Sequence, residues 1–365
     1  MRTLVTFLFC LWAVTLLGQT DSAITSLRNF SIQPHFGFII PHRSEMAHLI
    51  VGHSRGVNLQ WMTRVTGIKS WHHSFNFPEH GLDLYWNYTG NARQLGHQLG
   101  LSYLLRLPLG RNAKIQSRQH LGLGMGVGYN TKTWDLNENT QAQVIGSHLN
   151  ACISLEYFIR LFTTSAFNMS LGFRLTHFSN GAFKLPNLGT NNISIATIIR
   201  RNGNKKISIQ RKEISDFSKK NNLSLVLGGG LKEITQPLSR KYSSYTLSAL
   251  YERRFSVKSR FGVGTDLLWS NGVRALRERN VGEEVTWSQN IQLGLTMSYG
   301  LCFDNTVLYL QQGFYLWNIW QADGLFYQRV MLRHYLPKNW ILQAGLKTHF
   351  AKADHIEIGI GRVLR

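Results

Sequence analysis

After its N-terminal segment, the chain has no apolar run long enough to cross a bilayer as a helix, and its mean hydropathy is −0.15. A membrane-spanning helix needs about 20 consecutive apolar residues, so helical membrane proteins are excluded. Proline is also rare, at 7 of 365 residues, although 43% of the residues are apolar and 12% are aromatic. Two classes remain: a secreted β protein, or a transmembrane barrel whose apolar residues are dispersed by alternation.

Cysteines are also scarce, and candidate metal ligands are few. Of the three cysteines, Cys10 lies in the N-terminal apolar segment, which leaves Cys152 and Cys302 far apart in the sequence. The sequence does not decide whether these two pair, and their spacing is not that of a metal site. Isolated loop or strand-end positions are the simplest interpretation of His72, His73, His349 and Asp354. We therefore predict no metal and no cofactor.

The N-terminus has the features of a secretory signal peptide. Met1-Arg2-Thr3 provides a charged start, residues 4–17 are apolar, and Gly18-Gln19-Thr20 forms a small polar exit. The apolar stretch is too short to span a bilayer comfortably as an anchor helix. We predict a cleaved signal peptide at residues 1–19 and, with it, export from the cytoplasm.

Acidic residues are scarce: the chain has 19 of them and 40 lysines and arginines, which gives a formal net charge of +21. Such an excess can serve nucleic-acid binding, but a secretory signal argues against nucleic acid as a partner. An anionic lipid surface, either phosphorylated glycolipid or phospholipid, is the favoured partner because it attracts exposed Lys and Arg side chains. The alternative is that much of this charge is solvated loop surface.

The sequence does contain repeated alternation of apolar residues with polar or small ones. Clear cases are Leu121–Tyr129, Leu223–Leu231, Ile291–Tyr299 and Ile356–Gly361. Successive side chains of a strand face opposite sides, so each segment has one apolar face. Inside lipid an open sheet edge is not tolerated, which requires that the sheet close. We therefore predict an all-β fold, a transmembrane antiparallel β-barrel over residues 20–365 in the bacterial outer membrane.

About sixteen strands are predicted, within a range of roughly 12 to 16, in a single domain without internal repeats. The segments begin near residues 30, 56, 82, 95, 119, 147, 167, 191, 222, 242, 258, 288, 306, 325, 340 and 355. If the first strand runs outward, the longer outer loops are 41–55, 130–146, 180–190 and 271–287. The basic segment 201–221 is long for the inner side and is an exception to the usual pattern of short inner turns.

One predicted strand carries a set of chemically active side chains. In residues 167–179 the odd positions are apolar up to Leu175, and His177 and Ser179 continue that lipid-facing side. The next strand places Asn191 on its own lipid-facing side, near His177. A serine becomes nucleophilic when an imidazole takes its proton, and a partner on the other ring nitrogen orients that imidazole. Ser179, His177 and Asn191 are therefore the predicted catalytic residues; the alternative is that they are ordinary polar residues of the membrane interface.

The segment His177-Phe178-Ser179-Asn180-Gly181, followed by Lys184, Pro186-Asn187 and Gly189, resembles the active-site region of the outer-membrane lipid A 3-O-deacylases, or acyloxyacyl hydrolases. The resemblance covers residues 167–200. It implies an acyl-ester hydrolase built on a barrel with an exterior site, in which Ser179 is the nucleophile and His177 the base. The orienting acid of that family falls fourteen residues after the histidine, where this chain has Asn191 instead of glutamate.

Other residues of the segment are candidates for substrate contacts. Asn180, Asn187 and the backbone N–H of Gly181 could donate hydrogen bonds to an oxyanion. Lys184 could pair with a phosphate of the substrate.

The outer-membrane phospholipases A share the H-x-S-N-G core and use asparagine at the same offset, so Asn191 is more similar to theirs. We predict an outer-membrane enzyme that removes an ester-linked fatty acid from lipid A or lipopolysaccharide. A phospholipase A and a non-catalytic pore or structural barrel are the alternatives. Outer-membrane lipids are the expected surroundings, and formation of a homodimer is left open.

Overall fold

The computed structural model describes most of the chain from Arg28 onward. The described residues are 28–110, 117–201, 220–235, 240–282, 284–286, 288–350 and 352–364. The predicted signal peptide, residues 1–19, lies outside them, as does most of the basic segment 201–221. Within these ranges no helix is both long enough and apolar enough to cross a membrane.

Eight strands form the first part of the structure. They are β1 (Arg28–Ile39), β2 (Ser54–Arg64), β3 (Glu79–Tyr88), β4 (His97–Pro108), β5 (Gln119–Asn130), β6 (Leu149–Thr163), β7 (Phe167–Ser179) and β8 (Thr190–Arg201). Each strand pairs with the next in antiparallel register, and β8 pairs with β1, which closes the sheet. We call this unit the N-terminal barrel.

Eight further strands close on themselves in the same way and form the C-terminal barrel, with β16 paired to β9. They are β9 (Asn221–Lys232), β10 (Tyr242–Arg254), β11 (Ser259–Ser270), β12 (Ile291–Phe303), β13 (Thr306–Trp317), β14 (Phe326–Tyr335), β15 (Trp340–His349) and β16 (Lys352–Val363). The described helices are short. They are α1 (Ser70–Ser74), α2 (Asn271–Val281) and the 3-10 helices Ser44–Leu49, Ser288–Asn290, Gln321–Asp323 and Pro337–Asn339.

The all-β fold and the number of strands predicted from the sequence are confirmed, but the sixteen described strands close as two barrels of eight instead of one larger barrel. Ile32 pairs with Ile199 and Phe38 with Ile193, which joins β1 to β8. As a result β8 has no free edge to offer to β9. Alternation reports the face to which a side chain points and not which strand closes the sheet, so the same pattern fits either arrangement.

The connections that correspond to the predicted outer loops lie together at one end of the barrels. Because successive strands run in opposite directions, connections after odd-numbered strands share one end, which we call the loop end. The connections 40–53, 131–148, 180–189 and 271–290 lie there and correspond to the predicted outer loops. Connections 164–166, 255–258 and 304–305 lie at the other end and are short, whereas 65–78, which contains α1, is a long connection at that end. Short turns at the inner end are typical of outer-membrane barrels, and the connection 65–78 departs from that pattern.

Ion pairs fill the interiors of both barrels. In the N-terminal barrel Arg174 is fully buried and donates to Asp83 at 2.6 Å and to Glu156 at 3.1 Å. In the C-terminal barrel Arg329 donates to Asp266 at 3.0 Å and also to Glu357. An eight-stranded barrel has an interior just wide enough for side chains to fill, so these polar networks act as the cores of the two barrels.

The two barrels contact each other at both ends. At the loop end, the backbone N–H of Leu185 donates to the carboxylate of Glu233 at 2.8 Å. At the opposite end, Phe75 stacks on Phe303 with ring centroids 4.7 Å apart. Equivalent ends therefore meet, and the barrels lie side by side.

Replacing Arg174 by Met should destabilise the N-terminal barrel, because Asp83 would keep a buried charge without its guanidinium partner. Removing one partner of a buried ion pair costs on the order of 3–5 kcal/mol. The measurement is the midpoint of urea unfolding in detergent micelles. Arg43→Met changes an exposed loop position and should unfold like the wild type. An unchanged midpoint for Arg174→Met would contradict this role of the ion pair.

Candidate active site

The predicted catalytic residues lie where β7 ends and β8 begins. Odd-numbered residues of β7 face outward, since Phe173 is 58% exposed whereas Arg174 beside it is fully buried. His177 and Ser179 continue the outward side, and Ser179 is only 7% exposed. In the β7–β8 ladder His177 lies directly opposite Asn191. The three side chains are therefore on the outside of the N-terminal barrel, at its loop end.

A chain of hydrogen bonds fixes the orientation of His177. Its Nδ1 lies 2.7 Å from Oδ1 of Asn191, and Nδ2 of Asn191 lies 3.1 Å from Nδ1 of His42. The Nε2 of His42 is 3.1 Å from the carbonyl oxygen of Leu188, a shorter contact than the 3.4 Å between its Nδ1 and the carbonyl of Ile40. His42 therefore donates from Nε2 and accepts at Nδ1 from Asn191, whose oxygen accepts from His177. This leaves the lone pair of His177 on Nε2, where a general base needs it.

Ser179 is held by the loop that follows it. Its Oγ lies 3.0 Å from Nδ2 and 3.2 Å from Oδ1 of Asn187, and the backbone N–H of Gly181 donates to it at 3.2 Å. Within the described residues, the hydroxyl is thus bonded to its own loop and not to His177. A hydrogen bond between a catalytic serine and its histidine often forms only in the complex with substrate.

The predicted substrate-contact residues divide into two groups. Nδ2 of Asn187 and the N–H of Gly181 converge on Oγ of Ser179, so they lie near the position of an oxyanion on a carbon bonded to that oxygen. The side chain of Asn180 is instead used inside the loop, where its Nδ2 donates to Oγ of Ser147 and to the carbonyl of Lys184, both at 2.8 Å. Lys184 is exposed. Asn180 therefore shapes the loop, and Asn187 and Gly181 contact the hydroxyl of Ser179.

Gly189 allows the loop to return to β8 beside the imidazole. Its φ is +77°, and a Cβ there would lie 2.9 Å from Cε1 of His177 and 3.0 Å from the carbonyl oxygen of Phe178. Glycine alone adopts this conformation without strain and without a clash.

Sequence reasoning did not find His42. This residue follows β1 and is 149 positions from Asn191 in the chain. The two meet because β1 closes on β8, with Ile39 opposite Asn192 and the N–H of Ile40 donating to the carbonyl of Asn191 at 2.8 Å. No pattern in the sequence reports that closure, so no signal there could have identified His42.

Comparison with protein families gives two matches. Residues 55–198 match the family described as lipid A 3-O-deacylase (PagL). This part of the chain, which lies in the N-terminal barrel, is similar to the lipid A 3-O-deacylases. Residues 221–364 match a region described as acyloxyacyl hydrolase, C-terminal domain, which coincides with the C-terminal barrel. The family resemblance predicted from the sequence is confirmed, and with it the localisation in the outer membrane.

Comparisons with curated sequences and with solved structures add less. No curated protein sequence matches it. An outer membrane channel from Pseudomonas putida F1 is similar over 94% of this chain and 97% of its own, at 11% identity and a TM-score of 0.20. A triple-mutant porin from Rhodopseudomonas blastica is similar over 93% of this chain and 100% of its own, at 6% identity and a TM-score of 0.17. TM-scores this low do not establish a shared fold.

Neither the two described cysteines nor a metal-binding cluster forms part of this site among the described residues. Cys152 in β6 and Cys302 in β12 are buried and unpaired. In the part of the chain that the structure describes, no group of three or more His, Cys, Asp or Glu side chains is arranged to hold a metal ion.

Gly189→Ala should lower ester hydrolysis, because its Cβ would displace the ring of His177. A displacement of about 1 Å can cost on the order of 100-fold in rate. Gly282→Ala is the matched control, since Gly282 also has a positive φ of +76° but a Cβ there meets nothing within 4 Å. The two glycines have a similar positive φ, so the difference in rate reports the contacts of the added Cβ with His177 and with the carbonyl of Phe178. Equal activity in the two folded variants would argue against it.

Proposed function

We propose that this protein removes an ester-linked fatty acid from lipid A in the outer membrane. The observation that carries the proposal is the hydrogen bond of 2.7 Å between Nδ1 of His177 and Oδ1 of Asn191. This bond keeps Nε2 of His177 unprotonated, two residues from the hydroxyl of Ser179 on the same side of β7. The family match supports lipid A as the substrate class.

In the proposed reaction Ser179 is the nucleophile and His177 the general base. Nε2 of His177 takes the hydroxyl proton while Oγ of Ser179 bonds to the ester carbonyl carbon. The resulting oxyanion accepts hydrogen bonds from the N–H of Gly181 and from Nδ2 of Asn187. The bond from the carbonyl carbon to the alcohol oxygen then breaks, and this oxygen leaves with the proton held on Nε2. Water attacks the acyl-enzyme with His177 again as base, which frees the fatty acid and Ser179.

Asn191 takes the position that glutamate has in the family's pattern. Its side-chain oxygen accepts the Nδ1 proton of His177 as a carboxylate would, but it carries no charge to stabilise the imidazolium. His42 accepts from Nδ2 of Asn191 and so turns the amide with its oxygen toward His177. Asn191 is therefore an orienting group whose electrostatic contribution is smaller than that of an acid.

An exterior site at the loop end suits an amphiphilic substrate that stays in the membrane. Phe173 and Ile195 are 58% and 56% exposed on the outer faces of β7 and β8, and they offer an apolar surface for acyl chains. The exposed Lys184 is available to pair with a phosphate. Lipid A has ester-linked acyl chains and phosphates near its polar boundary, and both features fit this arrangement.

A phospholipase A activity is the second candidate, and Asn191 favours it. The outer-membrane phospholipases A resemble this chain in the H-x-S-N-G core and in the asparagine at this offset. A passive pore is disfavoured because ion pairs such as Arg174 with Glu156 occupy the barrel interior.

Ser179→Ala should leave the barrel folded and lower fatty-acid release from lipid A by about 10⁴-fold or more, as removal of a nucleophile does in serine hydrolases. Mass spectrometry of purified protein with lipid A and with phospholipid, side by side in detergent, measures both activities. Rapid cleavage of phospholipid with untouched lipid A would assign the protein as a phospholipase. Release from neither substrate by the wild type would contradict both enzymatic functions, and hydrolysis retained by folded Ser179→Ala would rule out this nucleophile.

Asn191→Asp should keep activity, because a carboxylate accepts the same imidazole bond and adds charge stabilisation. Asn191→Leu removes the acceptor and should lower kcat on the order of 100-fold, less than the loss in Ser179→Ala. Steady-state kinetics on lipid A distinguish the two variants. Wild-type activity in Asn191→Leu would mean that His177 has another partner or needs none.

A further inference from the structure

The C-terminal barrel holds the loop of residues 180–189, which we call the active-site loop. The principal contact is Glu233, directly after β9. Its backbone N–H donates to the carbonyl of Ala182 at 2.9 Å, and its carboxylate accepts the N–H of Leu185 at 2.8 Å. One residue of the second barrel thus binds two backbone groups of the loop.

Lys241, just before β10, adds to this contact. Its Nζ donates to the carbonyl of Phe183 at 2.6 Å and lies 4.0 Å from the centroid of the Phe183 ring. The same Nζ is 3.0 Å from the carboxylate of Glu233, whose side chain is only 10% exposed. A partly shielded ion pair is weakened less by salt than a fully exposed one, so Glu233 and Lys241 form a joint clamp on residues 182–185.

The loop backbone beside the nucleophile also packs against the second barrel. A Cβ at Gly181 would lie 2.4 Å from Cγ1 of Ile356 on the outer face of β16. The N–H of Gly181 is the one that reaches Ser179, so a donor of the proposed oxyanion site lies in direct contact with the C-terminal barrel.

The clamp is linked to the second proposed donor by hydrogen bonds inside the loop. The side chain of Asn180 bonds the carbonyl of Lys184 at 2.8 Å and its N–H at 3.3 Å, so it joins the clamped segment to the end of β7. The backbone N–H of Asn180 in turn donates to Oδ1 of Asn187 at 2.9 Å. Holding residues 182–185 in place therefore holds Asn187 toward Ser179.

The C-terminal barrel does not repeat this arrangement at its own seventh strand. Thr348-His349-Phe350 at the end of β15 is similar to Thr176-His177-Phe178 at the end of β7. However, His349 is buried inside its barrel, where it bonds the hydroxyl of Tyr315 at 2.9 Å. The connection to β16 spans only residues 350–351, which is too short to form a comparable loop.

We propose that the C-terminal barrel is a structural part of the active site, with Glu233 as the positioning residue that clamps the active-site loop. The inference rests on the proposed function. In the clamped loop the N–H of Gly181 and Nδ2 of Asn187 point at Ser179 before substrate arrives. Release of the loop removes this preorganisation, which stabilises the transition state more than the bound substrate. Loss of the clamp therefore lowers kcat more than it raises KM.

The test compares Glu233→Ala, Glu233→Gln and the control Glu278→Ala in the full-length protein. Glu278 lies in α2 of the same barrel and pairs with Arg274 on the surface, so it tests general loss of a carboxylate. We expect kcat on lipid A to fall by about 10- to 100-fold in Glu233→Ala, with KM changed by less than about threefold. Glu233→Gln can still accept from Leu185 and should fall between Glu233→Ala and the wild type. Glu278→Ala should match the wild type.

Hydrogen exchange of the loop amides provides a readout that does not depend on activity. The Leu185 amide should exchange faster in Glu233→Ala than in the wild type, with the strands of both barrels unchanged. Wild-type kcat and wild-type exchange in folded Glu233→Ala would overturn the proposal. If the alanine variant does not fold, the same two measurements on Glu233→Gln decide whether the proposal holds. An inactive wild type would refute the proposed function, whereas the exchange rates would still decide whether Glu233 holds the loop.

Discussion

The pairing of β1 with β8 is the interaction on which the N-terminal barrel and its site depend. Inside lipid no water is present to bond backbone N–H and C=O groups, so the first and last strands must satisfy each other. The register that achieves this sets Ile39 opposite Asn192 and brings His42 beside Asn191. Closure of the sheet thus also orders the hydrogen bonds that orient His177.

The stabilising network and the proposed catalytic residues lie on opposite faces of β7. Arg174 and Thr176 point inward and bond each other at 3.1 Å within the buried polar network, whereas His177 and Ser179 point outward. The desolvation of the inner charges is offset by their mutual pairing. The outer polar groups lie at the strand end, where the following loop covers the serine. Ser179, the proposed nucleophile, is therefore separate from the network that stabilises the barrel.

Alternation was sufficient to predict the strands, the outward face of His177 and Ser179, and the position of Asn191 beside the imidazole, because all three follow from a side-chain period of two along neighbouring strands. It was not sufficient for the division into two barrels, for His42 or for Glu233. Those depend on which distant strands pair and how two closed barrels pack. The bond between Ser179 and Asn187 depends on loop geometry, which has no periodic signature.

Separate closure of the two barrels makes the strand pairing of each independent of the other. The described ladder partners of β1 to β8 lie within residues 28–201, so the first barrel can form its full set of strand pairs without any strand of the second. Contacts between Glu233 and the loop after β7 require both barrels. A chain truncated after the first barrel can therefore complete that barrel's strand pairs, but the loop beside Ser179 lacks the two backbone contacts that Glu233 provides.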